Sequence, residues 1–229
     1  MIISHKHKFI FVKTRKTAGT SVEIALSTIC GDQDVLTPLT PEDERIRIEH
    51  GGRPAQHYWL SPTRWKCSDI VRACRKREFP QYNSHMSAAD IRSHVGEEIW
   101  RSYFTFTLDR NPYDRLISFY YWHGGPNVHG SFSDYVLRQG GWSRSVNYEL
   151  YADRGFVIVD AVYRYEDLPG MLRSVASRLG LSKTPALPYQ QTKRSSDRTR
   201  DYQEYYTEET RTLVSVACAR EIALLGYQF

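Results

Sequence analysis

One short stretch, Lys13-Thr14-Arg15-Lys16-Thr17-Ala18-Gly19-Thr20-Ser21, holds what an anion cradle needs. Small side chains at Ala18 and Gly19 let the backbone approach a phosphate. A helix starting there supplies oriented N–H donors and the positive end of its dipole. Lys16 adds a mobile full charge beside Arg15, and Thr17, Thr20 and Ser21 add hydroxyl donors. The order of residues is not that of a Walker loop, because the GxxxxGK[ST] spacing is absent and Lys16 precedes Gly19.

A second stretch, Leu108-Asp109-Arg110-Asn111-Pro112-Tyr113-Asp114-Arg115-Leu116-Ile117-Ser118, repeats the theme with an arginine. Arg110 closes an apolar run, and Asn111-Pro112 opens a helix, Asn111 as its cap and Pro112 at its first position. Ser118 falls two helical turns further on, so Arg110 and Ser118 can clamp one anion from two sides. The guanidinium offers a bidentate fork where Lys16 offers a point charge. Arg115 reads as a surface arginine with aspartate partners.

Together these stretches resemble the sulfotransferases that use 3′-phosphoadenosine 5′-phosphosulfate (PAPS). The likeness is greatest to the branch holding the carbohydrate and heparan 2-O-sulfotransferases and many small bacterial members. Arg15 to Ser21 is similar to that family's PKTAGTS loop, which grips the 5′-phosphosulfate; Arg15 stands in place of its proline and adds charge. Arg110 to Ser118 is similar to its RNPxxRxxS stretch. The resemblance implies that Arg110 and Ser118 hold the 3′-phosphate; Asp109 departs from the family's frequent VRNP, and is placed either to orient Arg110 or Arg115 or to weaken the anion site. It continues through Arg164-Tyr165-Glu166-Asp167-Leu168 and the ending Leu225-Gly226-Tyr227-Gln228-Phe229. It covers 8–29, 83–122 and 156–229, and leaves about 31–80 as an unmatched insert that could shape the acceptor site. It also implies that the basic loop 193–200 closes over the nucleotide, with Lys193 and Arg198 the favoured contacts.

Asn83-Ser84-His85-Met86-Ser87-Ala88 is similar to the family's KHLTAxE stretch, whose histidine is the candidate base. An acceptor hydroxyl must lose a proton as it attacks sulfur, and an imidazole suits that task. His50 and His57 are the rivals to His85. His5, His7, His94, His123 and His129 read as surface or packing residues.

These residues must be positioned by an α/β scaffold. Phe9 to Val12 is a short β-favouring run suited to a buried parallel strand, the first expected in the chain. Val22, Ala25, Leu26 and Ile29 then give one apolar helical face. Ser87 starts another helix through the capping box Ser87-Ala88-Ala89-Asp90. Phe104–Leu108 and Phe156–Val162 read as further strands. Helices follow from Leu168 to Gly180 and from about Thr207 to Leu225, the second without interruption. Strands alternating with helices imply a P-loop-like, three-layer α/β/α domain around a mainly parallel sheet. Because the cofactor segments must converge, residues 1–229 read as a single domain.

Composition fits that picture. The 229 residues are 41% hydrophobic and 25% charged, with a net charge of +5, as in an ordinary globular domain with an anionic ligand. No apolar run approaches the ~20 residues of a membrane span, and no signal peptide or anchor is expected before the first strand. Cys30, Cys67, Cys74 and Cys218 are sparse and form no CxxC pair, so we expect neither metal nor disulfide. That usage points to the cytoplasm, with Cys30 and Cys218 packed as small hydrophobes. Partners are expected to be PAPS and a small-molecule or carbohydrate acceptor, with no nucleic acid. Two other readings stay open: a P-loop-like nucleotide kinase, which lacks its Walker lysine here, and a non-catalytic polyanion binder using the basic run from Arg64 to Arg77.

Overall fold

The structure, a computed structural model, describes residues 1–65, 67–77, 79–188 and 201–229. Lys193 and Arg198, and part of the basic run near Lys66, lie outside them.

The central sheet contains β1 (Ile2–Ser4), β2 (Phe9–Val12), β3 (Val35–Leu36), β4 (Phe104–Asp109) and the later strand Ala161–Arg164. A hairpin of β5 (Ala152–Asp153) and β6 (Phe156–Val157) stands apart, which makes Ala161–Arg164 β7. The order is β3-β1-β2-β4-β7. β2 pairs parallel with β4, and β4 parallel with β7, while β1 runs antiparallel to both β2 and β3. Four strands therefore point one way and only β1 is reversed.

Helices cover both faces. They are α1 (Gly19–Ser27), α2 (Pro41–Glu49), α3 (Cys67–Lys76), α4 (Ala88–Val95), α5 (Glu97–Ser102) and α6 (Pro112–Trp122). Then come α7 (Pro126–His129), α8 (Phe132–Leu137), α9 (Tyr148–Tyr151), α10 (Leu168–Arg178), α11 (Glu208–Ala217) and α12 (Ala219–Leu225). Alternation along β2 divides the core: Phe9 and Phe11 face Val22 and Leu26 of α1 and Met171, Leu172 and Val175 of α10. Ile10 and Val12 face Ile91 and Val95 of α4 and Trp100 of α5. A third, aromatic cluster ties α6 to α8 and α11 through Tyr120, Phe132, Tyr135 and Val214.

The expected caps form. Ser87 accepts from the Asp90 N–H and Asn111 from the Tyr113 N–H. Elsewhere the structure corrects the sequence reading. A strand precedes Phe9, since Ile2–Ser4 turns back through Lys8, at φ +52°, onto β2. Phe156–Val162 is two strands rather than one. Asp160 accepts from the Thr105 N–H at 2.7 Å and the Thr105 hydroxyl at 2.9 Å, and only beyond it does the chain enter the main sheet. The last helix breaks at Cys218, whose φ of −109° leaves the helical region. Cys30 and Cys218 are buried, as expected, and none of the four cysteines is in a disulfide.

Candidate active site

β2 delivers the chain into the loop 13–18 at the carboxyl end of the sheet, and α1 carries it away. Two residues in this loop are left-handed, Lys16 at φ +60° and Ala18 at φ +54°. For L-residues that backbone costs about 1–2 kcal/mol each. Gly19 is required here: a Cβ would sit 2.7 Å from Cγ of Lys13. Lys13 itself is buried, with its ammonium on the carboxylate of Glu23. Burial opposes charge on Glu23, but Lys13 prevails and holds its pKa down at about 2.

The carbonyls of 13–16, and that of Ala18, each meet a donor. Lys13 C=O accepts from Nδ1 of His85 at 3.0 Å, and Thr14 C=O from the Thr17 hydroxyl at 3.3 Å. Arg15 C=O accepts from Nδ2 of Asn147 at 3.0 Å, and Lys16 C=O from Nη1 of Arg110 at 3.2 Å. Ala18 C=O takes the Val22 N–H at 3.1 Å. A loop whose electronegative groups are neutralised in this way is suited to an anion.

A cleft of about 1060 Å³ opens over the loop, lined by Arg15 to Ser21, His85 and Arg110. Arg15, Lys16, Thr17, Ala18, Gly19, Thr20 and Ser21 are thus brought together with Arg110 and His85. Thr17 is buried and shares a 2.9 Å hydroxyl contact with Thr14. Ser118, expected beside Arg110 on the 3′-phosphate, is buried on α6 and is not among the residues that line the cleft. Nε of Arg110 donates to Asp114 at 2.7 Å, and its guanidinium lies over the Tyr165 ring, 4.4 Å from the centroid. Nη2 meets the same carboxylate at 2.5 Å, so the Nε–Nη2 edge of the guanidinium is held by Asp114 and Nη1 by the Lys16 carbonyl. Lys16 Nζ stands 5.3 Å from the ring centroid of Trp122, which is 59% exposed at the cleft rim.

His85 is half-buried at the cleft wall. A carbonyl only accepts, so Nδ1 carries the hydrogen and Nε2 keeps its lone pair. Burial, assisted by the Lys13 charge and opposed by the Lys13 carbonyl bond, brings the imidazole pKa down to about 4. Neither rival lines the cleft: His50 Nε2 meets the Ala186 carbonyl at 2.8 Å and His57 Nε2 the Asp32 carbonyl at 2.9 Å. His123, expected to be a surface or packing residue, also lines the cleft, stacked on Phe119 at 5.9 Å. Its i, i+4 spacing from Phe119 was the available signal.

Arg115 is not a surface residue. It is fully buried, its Nη1 on Asp109 and its Nη2 on Glu221 at 3.3 Å. Burial works against its charge, but Asp109 and Glu221 hold it protonated, above the ordinary arginine pKa. Asp109 therefore pairs with the side chain of Arg115 and gives Arg110 only a backbone contact, at 2.8 Å. It also accepts from Tyr151 Oη at 2.8 Å and Asn147 Nδ2 at 3.1 Å. Sequence reasoning missed Asn147, Tyr151 and Glu221. Breaking this hub by Arg115→Met leaves Asp109 buried and uncompensated. Urea unfolding is expected to show a loss of about 3–5 kcal/mol; a loss under about 1 kcal/mol would show the pair to be expendable.

Among the described residues no group of His, Cys, Asp and Glu is placed to hold a metal ion. No described helix is long and apolar enough to cross a membrane.

Fold and cleft together define an α/β architecture with a basic, hydroxyl-bearing loop between its second strand and first helix, at the floor of the cleft. The sequence model of the sulfotransferase family matches residues 1–227, insert 31–80 included, and the chain belongs to that family. An uncharacterized protein of Archaeoglobus fulgidus is 32% identical over 102 residues, 42% of this chain and 83% of its own. The crystal structure of the mouse sulfotransferase SULT7A1 complexed with PAP aligns with 96% of this chain and 85% of its own. The TM-score is 0.47 and the identity 12%.

Proposed function

We propose that residues 1–229 form one domain that moves a sulfuryl group from PAPS to a hydroxyl or amine of a small-molecule or carbohydrate acceptor. The observation that carries this reading is the loop 13–18, four of its consecutive carbonyls (13–16) taken up by donors, with Lys16, Arg110 and His85 around one cleft. The 5′-phosphosulfate lies on Arg15, Thr17, Ala18, Gly19, Thr20 and Ser21. The 3′-phosphate lies toward Arg110, with Lys193 and Arg198 as further contacts.

The acceptor oxygen attacks sulfur in line as the bond from sulfur to the bridging phosphate oxygen breaks. Its proton passes to Nε2 of His85, and adenosine 3′,5′-bisphosphate (PAP) leaves with the electron pair. Lys16 neutralises the charge growing on that oxygen, so catalysis is positioning plus charge stabilisation. No metal is called for. The sparse cysteines support a cytoplasmic setting.

The test is transfer of label from radioactive PAPS in the presence of EDTA. Transfer from ATP with Mg²⁺ instead would favour the kinase reading. Heparin binding that collapses with salt, without saturable PAP affinity, would favour the polyanion reading.

The wall of Phe119, Trp122 and His123 beside Lys16 supports an acceptor with an apolar ring face. Trp122→Ala is expected to raise the KM of a ring-bearing acceptor about three- to tenfold, leaving PAP affinity unchanged. An unmoved acceptor KM would shift the acceptor to another part of the lining, Pro38 to Thr40.

A further inference from the structure

We propose that Asn147 is a positioning residue that sets the donor loop and registers its two anion grips against each other. The inference rests on reading the loop as the donor cradle. Asn147 is fully buried just before α9. Its Oδ1 accepts from the Arg15 N–H at 3.1 Å, and its Nδ2 donates to the Arg15 carbonyl at 3.0 Å and to Asp109 Oδ1 at 3.1 Å. Its own N–H donates to Glu221 at 3.1 Å. One carboxamide thus pairs both backbone groups of a single residue, as a neighbouring strand would, and uses both of its N–H donors and one lone pair of its oxygen.

The residue so held is the one before Lys16. Lys16 and Ala18 sit in left-handed backbone, which persists only where the surroundings over-determine it. Asn147 supplies that constraint on one side of Lys16, and Arg110, through the Lys16 carbonyl, supplies it on the other.

A single atom links the two. Asp109 Oδ1 accepts from Asn147 Nδ2 and also from the Arg110 N–H. The loop that takes the 5′ end of the donor and the arginine that takes its 3′-phosphate are measured from the same oxygen. Arg115, paired with that oxygen, fixes it in place. Spacing between the two grips is therefore set by Asn147 and Asp109, and a donor with phosphates at one separation fits it.

The experiment compares Asn147→Ala and Asn147→Asp with Tyr151→Phe. The last removes the hydroxyl bond to Asp109 Oδ2 and leaves the contacts of Asn147 intact. Asn147→Ser replaces the alanine variant if that one does not fold. Readouts are PAP affinity by calorimetry, donor and acceptor KM, and amide hydrogen exchange of residues 15–18 in the unliganded chain.

Asn147→Ala is expected to raise the PAP Kd and donor KM about tenfold and to speed exchange in the loop, with acceptor KM within about twofold. Asn147→Asp is expected to do worse, since it sets a carboxylate against Asp109 and the Arg15 carbonyl. Tyr151→Phe is expected to leave donor KM and loop exchange unchanged at a comparable drop in Tm. Equal donor effects from Tyr151→Phe and Asn147→Ala at equal Tm, or unaltered loop exchange in Asn147→Ala, would overturn the proposal. If the wild-type chain fails to bind PAP, the donor reading falls and loop exchange alone decides whether Asn147 orders the loop.

Discussion

With Lys16→Ala, turnover is expected to fall by about 10²- to 10³-fold, the usual cost of removing one preorganised donor from developing negative charge. The ammonium sits at the head of the cradle, between a neutralised run of carbonyls and the exposed ring of Trp122. In water such a charge would be screened; in a half-buried cleft it acts at close range. The fall belongs in kcat, because the leaving oxygen gains its charge only as the bond to sulfur breaks. PAP affinity should weaken far less, since the remaining loop and Arg110 still hold the phosphates. Lys16→Gly serves as a control for backbone. Glycine relieves the left-handed strain that alanine keeps, so a loss shared by both variants belongs to the ammonium. Near-normal turnover in Lys16→Ala would remove it from the mechanism.

The second large effect concerns His85. His85→Ala is expected to lower turnover about 10²- to 10⁴-fold while PAP still binds. The pH profile tests the same assignment without mutation. The base works when neutral, and burial brings its pKa down to about 4. The acid limb of kcat/KM, which reports the free enzyme, therefore lies near pH 4 rather than 6.5, and the profile is flat above it from this group. A bound polyanionic donor favours the imidazolium, so the acid limb of kcat lies at higher pH than that of kcat/KM. A kcat/KM limb at 6.5 that survives in His85→Ala would assign the base elsewhere.

Much of the scaffold was legible because its signals are local. The run Phe9 to Val12, the apolar face of α1 and the caps at Ser87 and Asn111 each reside within a few residues. The cradle loop was legible for the same reason. What escaped was set by distance. Arg115 looks exposed beside its neighbouring aspartates, yet one of its two acidic partners is Glu221, 106 residues away. Asn147 sits in an unremarkable stretch and meets Arg15 from 132 residues off. β1 is three residues long and carries no period to detect. The split of 156–162 turns on where Asp160 finds Thr105, which pattern cannot tell.

The pinned carbonyls of the loop have a consequence for folding. For three of them, those of Lys13, Arg15 and Lys16, the donors come from His85, Asn147 and Arg110, separated from their partners by 72, 132 and 94 residues. No fragment of the chain can present the cradle, because its geometry is complete only when the sheet, α6 and the segment before α9 have all docked. A ligand that selects the cradle therefore selects the fully assembled chain and stabilises it by mass action, by about 2.7 kcal/mol at a hundred times its dissociation constant. The same linkage runs backwards: any substitution that loosens the docking of those three segments surfaces as weakened donor affinity, however far from the cleft it lies.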